Sequence, residues 1–203
     1  VIASQKTKIR DFVATLMNQL PPNTQVSLVY AGKTAHPAVQ GSIQELSKAI
    51  LAMPSESDWR FDTGVKLAVN ELVKTSRSRS ILFITSGALR DASFVNSSPR
   101  ELLLLLSNNR VAMHTLSLSS TNDLTALRYL SGNSGGTLYF ADDPRGSAPL
   151  AKLLTKNTTG VYRLSFTATA DPMFGQNYLP ISIEVYLRNK SGKDETGYFA
   201  PLQ

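Results

Sequence analysis

Apolar residues in the first 160 positions recur alternately at helical spacing and in short unbroken runs. Ile9, Phe12, Val13, Leu16, Met17 and Leu20 share one face of a helix predicted over residues 5–20, which Pro21-Pro22-Asn23 stops. Val26-Ser-Leu-Val-Tyr30 reads as a strand. Ser42-Ile-Gln-Glu45 is a capping box, so a helix should run from there to about Pro54. Asp62 is placed to cap a helix reaching about Thr75, with Val65, Val69, Leu72 and Val73 inward. Ile81 to Ile84 is apolar without alternation, the pattern of a strand buried on both faces of a parallel sheet. Ser98-Pro-Arg-Glu101 opens a further helix, Val111–Leu118 a strand, Asp123–Leu130 a short helix, Thr137–Phe140 a strand and 147–158 a helix.

This alternation predicts an α/β fold, a mostly parallel central sheet flanked by helices. Beyond Gly160 the period falls to two: Tyr162, Leu164 and Phe166, then Leu179, Ile181, Ile183, Val185 and Leu187, alternate with other residues. A small antiparallel β region with one wet face follows from that pattern. The expected division is residues 1–160 and 161–203.

At 203 residues, 42% hydrophobic and 18% charged, the chain has the composition of a globular protein. Its longest apolar run, Leu102–Leu106, is far short of a membrane span. Five leucines on a helix cover every face, so at least one is expected to meet the β region or another chain. The absence of cysteine excludes disulfides and thiolate chemistry and tilts the expected setting away from the cytoplasm. The net charge of +6 is scattered; its densest patch, Lys74, Arg77 and Arg79, trails a helix, where cations suit the carbonyl end. That patch lacks the interleaved aromatics of a nucleic-acid groove, so no nucleic acid is expected. Residue 1 is Val rather than Met and no leader pattern opens the chain, which reads as a mature, trimmed or subcloned product.

Catalytic motifs are few. Gly132-Asn-Ser-Gly-Gly136 fits Gly-x-Ser-x-Gly, but it follows a predicted helix and precedes a strand, the reverse of a nucleophile elbow. Ser134 is therefore expected in a helix C-cap and turn. His36 and His114 make neither a zinc site nor a triad, and no phosphate-binding glycine loop occurs. No catalytic residue is assigned. Asn96, Asn157 and Asn189 head glycosylation sequons, which carry meaning only outside bacteria.

The order of Val26–Tyr30, Asp62-Thr63-Gly64, Ile81-Leu-Phe-Ile-Thr-Ser-Gly87, Leu127-Arg-Tyr-Leu-Ser-Gly-Asn-Ser-Gly-Gly136, Tyr162-Arg-Leu-Ser-Phe166 and Thr196-Gly-Tyr-Phe-Ala-Pro201 resembles a von Willebrand factor type A domain of the bacterial kind with a C-terminal β extension. The resemblance implies a protein–protein interaction or adhesion module rather than an enzyme, in an extracytoplasmic setting, periplasmic or cell-envelope associated. It also implies a metal-ion-dependent adhesion site built from an Asp-x-Ser-x-Ser turn, a Thr and the Asp of Thr-Asp-Gly. Here Thr63 matches the Thr, Ser86 stands at the Asp position, and no Asp-x-Ser-x-Ser occurs. The site is degenerate, so no metal is expected in this chain; Mg²⁺ would bind only if an upstream segment supplied the missing ligands. The family's first strand, central in its sheet, is also missing. Its loss would orphan buried backbone groups at roughly 1–3 kcal/mol each, so an upstream segment or second chain is expected to complete the sheet.

The expected partner-binding surface is the carboxyl edge of the sheet: the 31–41 loop, Trp59, Arg60, Asp62 and Thr63, then Ser86, Gly87, Arg90 and Asp91, and the 119–123 loop. Trp59-Arg60-Phe61 reads either as a binding hot spot or as an anchor that packs the loop down. A structural subunit completed by another chain, and a hydrolase on a related sheet, are the alternatives.

Overall fold

A computed structural model of the chain describes residues 3–33, 36, 38–54, 60–75, 78–119, 123–155, 165, 178–187 and 190–199. The chain divides into two compact units, Val1–Thr158 and Thr159–Gln203.

In the first unit, helices α1 (Ala3–Gln19), α2 (Ile43–Ala52), α3 (Phe61–Leu72), α4 (Pro99–Asn108), α5 (Thr125–Asn133) and α6 (Ala148–Thr155) alternate with strands. Strands β3 (Arg79–Thr85), β4 (Val111–Ser117) and β5 (Leu138–Phe140) form a parallel sheet in the order β3-β4-β5. Arg79 pairs with Val111 and Thr85 with Ser117, so β3 and β4 end level with each other. The capping boxes form as their sequence requires: Ser42 and Ser98 each accept from the amide three residues on, and Glu45 and Glu101 reach back to the serine amides. Those amide bonds hold both glutamates below their ordinary value of 4.5.

Helices cover both faces of this sheet because its residues alternate between two cores. Ile81, Phe83, Val111 and Met113 pack with Val65, Val69, Leu102, Leu106, Leu127 and Leu130. Leu82 and Tyr139 pack on the other face with Phe12, Leu16, Leu150 and Ala151. Within the leucine run, Leu102 and Leu106 are buried while Leu104 is 54% exposed. Arg79 is the helix-end cation: its guanidinium donates to the carbonyls of Thr75 at 2.7 Å and Asn109 at 3.0 Å, tying the ends of α3 and α4 together. Lys74 pairs instead with Glu71; Arg77 lies outside the described residues.

Three local expectations change. The strand expected at 26–30 narrows to β1 (Ser27–Leu28), which pairs antiparallel with β2 (Val39–Gln40) in a separate two-stranded sheet. The apolar strand β3, expected to be buried on both faces, is paired on one side only among the described residues and half-buried almost throughout, whereas β4, bonded on both sides, is the buried one. The third change is at α3, which begins at Phe61 with Arg60 as its N-cap residue, so Asp62 lies inside the first turn and does not cap it.

The glycine-rich turn after α5 forms as expected. Gly135 takes φ +84° and the Gly136 amide bonds back to Ser131 O at 2.8 Å, closing the helix with a left-handed cap. A Cβ on Gly136 would stand 1.9 Å from Met113 O, so only glycine lets this turn lie against β4. Ser134 Oγ accepts from the Met113 amide and donates to Ser131 O, which fixes it as part of that junction.

In the second unit, β6 (Tyr178–Leu187) and β7 (Lys190–Phe199) pair antiparallel from Tyr178–Phe199 to Leu187–Lys190. Leu179, Ile181 and Ile183 are partly covered and alternate with exposed residues, but Val185 and Tyr186 are both exposed. Of the segment 162–166 predicted as a strand, only Ser165 is among the described residues.

His114 is 4% exposed on β4 opposite Leu82, and its Nδ1 has no hydrogen-bond partner among the described residues. Burial pushes its pKa below the ordinary 6.5. The unfolded chain therefore binds more protons at this site, and stability present above pH 6.5 is lost as pH falls through the folded value. Urea denaturation of the wild type should show this decline as pH falls below about 6.5. His114→Leu should flatten it; an unchanged slope in that variant would place the titration elsewhere.

Candidate functional site

The parallel strands β3 and β4 end in the same device. Thr85 Oγ1 donates to Gly87 O at 2.7 Å and accepts from the Gly87 amide at 3.2 Å. Ser117 Oγ does the same with Ser119 O at 2.6 Å and the Ser119 amide at 3.4 Å. Each hydroxyl closes its strand into a tight turn, so the chain leaves the sheet at a fixed level. Ser86 lies half-buried within the first of these turns.

The start of α3 is held beside these tips by apolar packing. Phe61 is 1% exposed and meets Phe83 edge-on with ring centres 4.8 Å apart, and Phe94 at 5.6 Å. Phe83 belongs to β3, and Phe94 to a 3-10 turn over Asp91–Phe94. Of the Trp59-Arg60-Phe61 trio, Phe61 is thus an anchor beneath the edge. On the far side, the Arg60 amide donates to Gly32 O at 2.8 Å. A Cβ on Gly64 would stand 2.4 Å from the Ala31 side chain, so the absence of one lets the 31–32 segment lie against α3.

Polar groups lock the same corner. Asp62, expected on the contact surface, is fully buried. Its Oδ1 accepts from the Thr63 amide at 2.7 Å and the Thr63 hydroxyl at 3.3 Å, and its Oδ2 accepts from the Asn96 amide at 2.5 Å. Asn96 Nδ2 in turn donates to Thr63 Oγ1 at 3.4 Å. Asn96, read in the sequence only as a sequon, joins the segment before α4 to the start of α3. No local signal could have found it, because its partners lie 33 and 34 residues away.

The structure therefore gathers Arg60, Thr63, Ser86, Gly87 and Arg90 at the carboxyl end of the sheet. Arg60 is half-buried and Arg90 exposed. Trp59 and the side chain of Asp91 are outside the described set, as are residues 34, 35, 37 and 120–122 of the flanking loops. Asp123 begins the far side of the edge; its Oδ1 accepts from the amide and hydroxyl of Thr125, and that amide bond most of all lowers its pKa. Among the described residues no group of three or more His, Asp or Glu side chains converges as a metal site would. No helix there is long and apolar enough to cross a membrane.

Removing the Asp62 carboxylate would take the acceptor from the Asn96 amide and the Thr63 donors. Bonds to a charged acceptor are worth about 1.5–3 kcal/mol, so Asp62→Ala should lower unfolding free energy by about 2–4 kcal/mol. Thr63→Ala should cost about 1 kcal/mol. Urea denaturation of both variants checks this; an Asp62→Ala loss no larger than that of Thr63→Ala would show the carboxylate holds nothing.

No family model and no curated protein matches the sequence. Solved structures do match the fold. A von Willebrand factor type A protein from Catenulispora acidiphila aligns over 96% of this chain and 51% of its own, at 12% identity and a TM-score of 0.58. This chain thus spans about half the length of that protein. The SpRpn10 VWA domain aligns over 77% of this chain and 87% of its own, at 16% identity and a TM-score of 0.53. Proximal thread matrix protein 1 from the mussel byssus, solved with a zinc-occupied MIDAS motif, aligns over 73% of this chain and 40% of its own, at 16% identity and a TM-score of 0.56. With its parallel sheet, helices on both faces and small antiparallel pair, the chain has the fold of a von Willebrand factor type A-like domain.

Proposed function

We propose that this protein is a non-catalytic recognition module that binds a protein partner through the carboxyl edge of its sheet, without a bridging metal. The observation that carries the reading is the Asp62–Thr63–Asn96 lock. It ties the start of α3 to the segment before α4 and engages both oxygens of the buried Asp62 carboxylate with protein donors. A hard divalent cation asks for several oxygen ligands, carboxylates foremost. The donor set here fits it poorly: the Thr63 hydroxyl already donates to Asp62 and accepts from Asn96, and Ser86 brings no charge. A corner tied by these hydrogen bonds, with Arg90 exposed beside it, suits recognition by complementarity. The interaction roles that go with this fold support an adhesion or scaffold role, in an extracytoplasmic, cell-envelope setting. Catalysis is the weaker reading, since Ser134 is committed to the α5–β4 junction.

A photo-cross-linking residue in place of Ala88, at the edge, and of Asn108, at the opposite end of the sheet, tests this in extracts of the source cells. Adducts are expected at position 88, absent at 108 and undiminished by EDTA. Adducts at 108 alone, or their loss in EDTA, would overturn the reading.

A second reading, that another segment or chain completes the sheet, is favoured by β3. Its Ile81–Ile84 run has the composition of an interior strand, yet its outer edge has no strand partner among the described residues and it stays half-buried. In dilute protein the outward amides of β3 should exchange hydrogen quickly and become protected once the completing strand is present. Strong protection of those amides in the dilute chain alone would sink this reading.

A further inference from the structure

Strand register decides which core holds His114. It pairs with Leu82, while the neighbouring pair is Ile81 with Met113. Leu82 belongs to the core beneath α1 and α6, and Ile81 and Met113 belong to the other. Paired residues of parallel strands point to the same side, so His114 stands on the face that α1 and α6 cover. There it is 4% exposed, with Nδ1 unpartnered among the described residues.

That core is the smaller of the two. Among the described residues it buries Leu16, Leu150 and Ala151, against ten residues in the core on the opposite face. The two covering helices are also tied to each other, since the Ser147 hydroxyl just before α6 donates to Gln19 Oε1 at the end of α1 at 3.2 Å. They form a layer whose release from the sheet costs less than unfolding the chain, because the cost follows the apolar area exposed.

No carboxylate stands ready to receive a charged imidazole. On α1, Lys6 donates to the Met53 carbonyl, Lys8 is exposed and Arg10 holds Asp11. On α6, Lys152 is exposed; in the turn before it, Asp142 is exposed and Asp143 is paired with Arg145. β5 brings Tyr139 to this face, its phenol kept neutral by burial. β3 and the rest of β4 bring only Ser80, Leu82, Ile84, Ala112 and Leu116. Burial alone acts on the imidazole, and it disfavours the charged form.

We infer that His114 is the trigger of an acid-released latch: on protonation the α1–α6 layer lifts from the sheet and hydrates the ring, while the opposite core and the carboxyl edge stay folded. The opening bares the apolar face of Leu82 and Tyr139. Whole-chain unfolding hydrates the ring too, but only by giving up both cores. Any state that exposes the ring gains population as it binds the proton, by up to about tenfold for each pH unit below the ordinary 6.5. The cheaper opening therefore appears first as the solution is acidified. This device is independent of the partner-binding edge.

Native-state hydrogen exchange on the 203-residue chain tests it, with each amide corrected for its intrinsic rate. Amides of α1 and α6 should be less protected than those of α4 and α5, and their protection should fall by up to about tenfold between about pH 7.5 and 5.5. His114→Leu and His114→Gln should each remove that fall, which separates His114 from His36, the other histidine of the chain. If a variant fails to fold, the contrast between helices in the wild type decides by itself. Equal protection of all four helices would make the opening global and overturn the inference. So would protection of α1 and α6 that is independent of pH, or a fall that persists in the variants.

Discussion

Strand β4 constrains everything around it. Val111, Met113, Thr115, Leu116 and Ser117 are all buried, so each backbone amide and carbonyl along them must find a protein partner. Pairing with β3 and β5 satisfies most of them, and the turn after α5 supplies another when Ser134 accepts from the Met113 amide. The close approach of Gly136 to Met113 O follows from the same demand, since the chain must return against β4 before it can become β5. Both apolar cores are assembled on the faces this sheet presents.

The carboxyl edge inherits its geometry from that pairing. Because β3 and β4 end in register at Thr85 and Ser117, their two hydroxyl-closed turns stand side by side. The start of α3 is then brought to the same level by the edge-on packing of Phe61 against Phe83 and Phe94. Asp62 and Asn96 complete the corner from inside. The result, among the described residues, is a corner whose polar groups close on one another, with the exposed Arg90 at its flank.

Much of this was legible in the sequence where the signal is local. The capping boxes at Ser42 and Ser98 formed because each needs only residues three apart. The glycine turn at 135–136 formed because left-handed backbone and a close approach both exclude a side chain. The strand Val26–Tyr30 was legible only in part, because two-residue pairing with Val39–Gln40 depends on a partner the local pattern does not specify. The apolar run of β3 misled for the same reason: composition records what a strand is suited to, not how many neighbours it has.

The sequence by itself determined the α/β alternation, the helix starts at Ser42 and Ser98 and the change of period beyond Gly160, since these arise from periodicity and capping within a few residues of each position. Tertiary structure alone decided that β4 and not β3 is the buried strand, that Asp62 turns inward and not toward a partner, and that Asn96 is its ligand across 34 residues. The physical reason is range. A hydrogen bond between distant segments, or the burial of a carboxylate, depends on which surfaces the whole chain brings together, and no window of neighbouring residues contains that information.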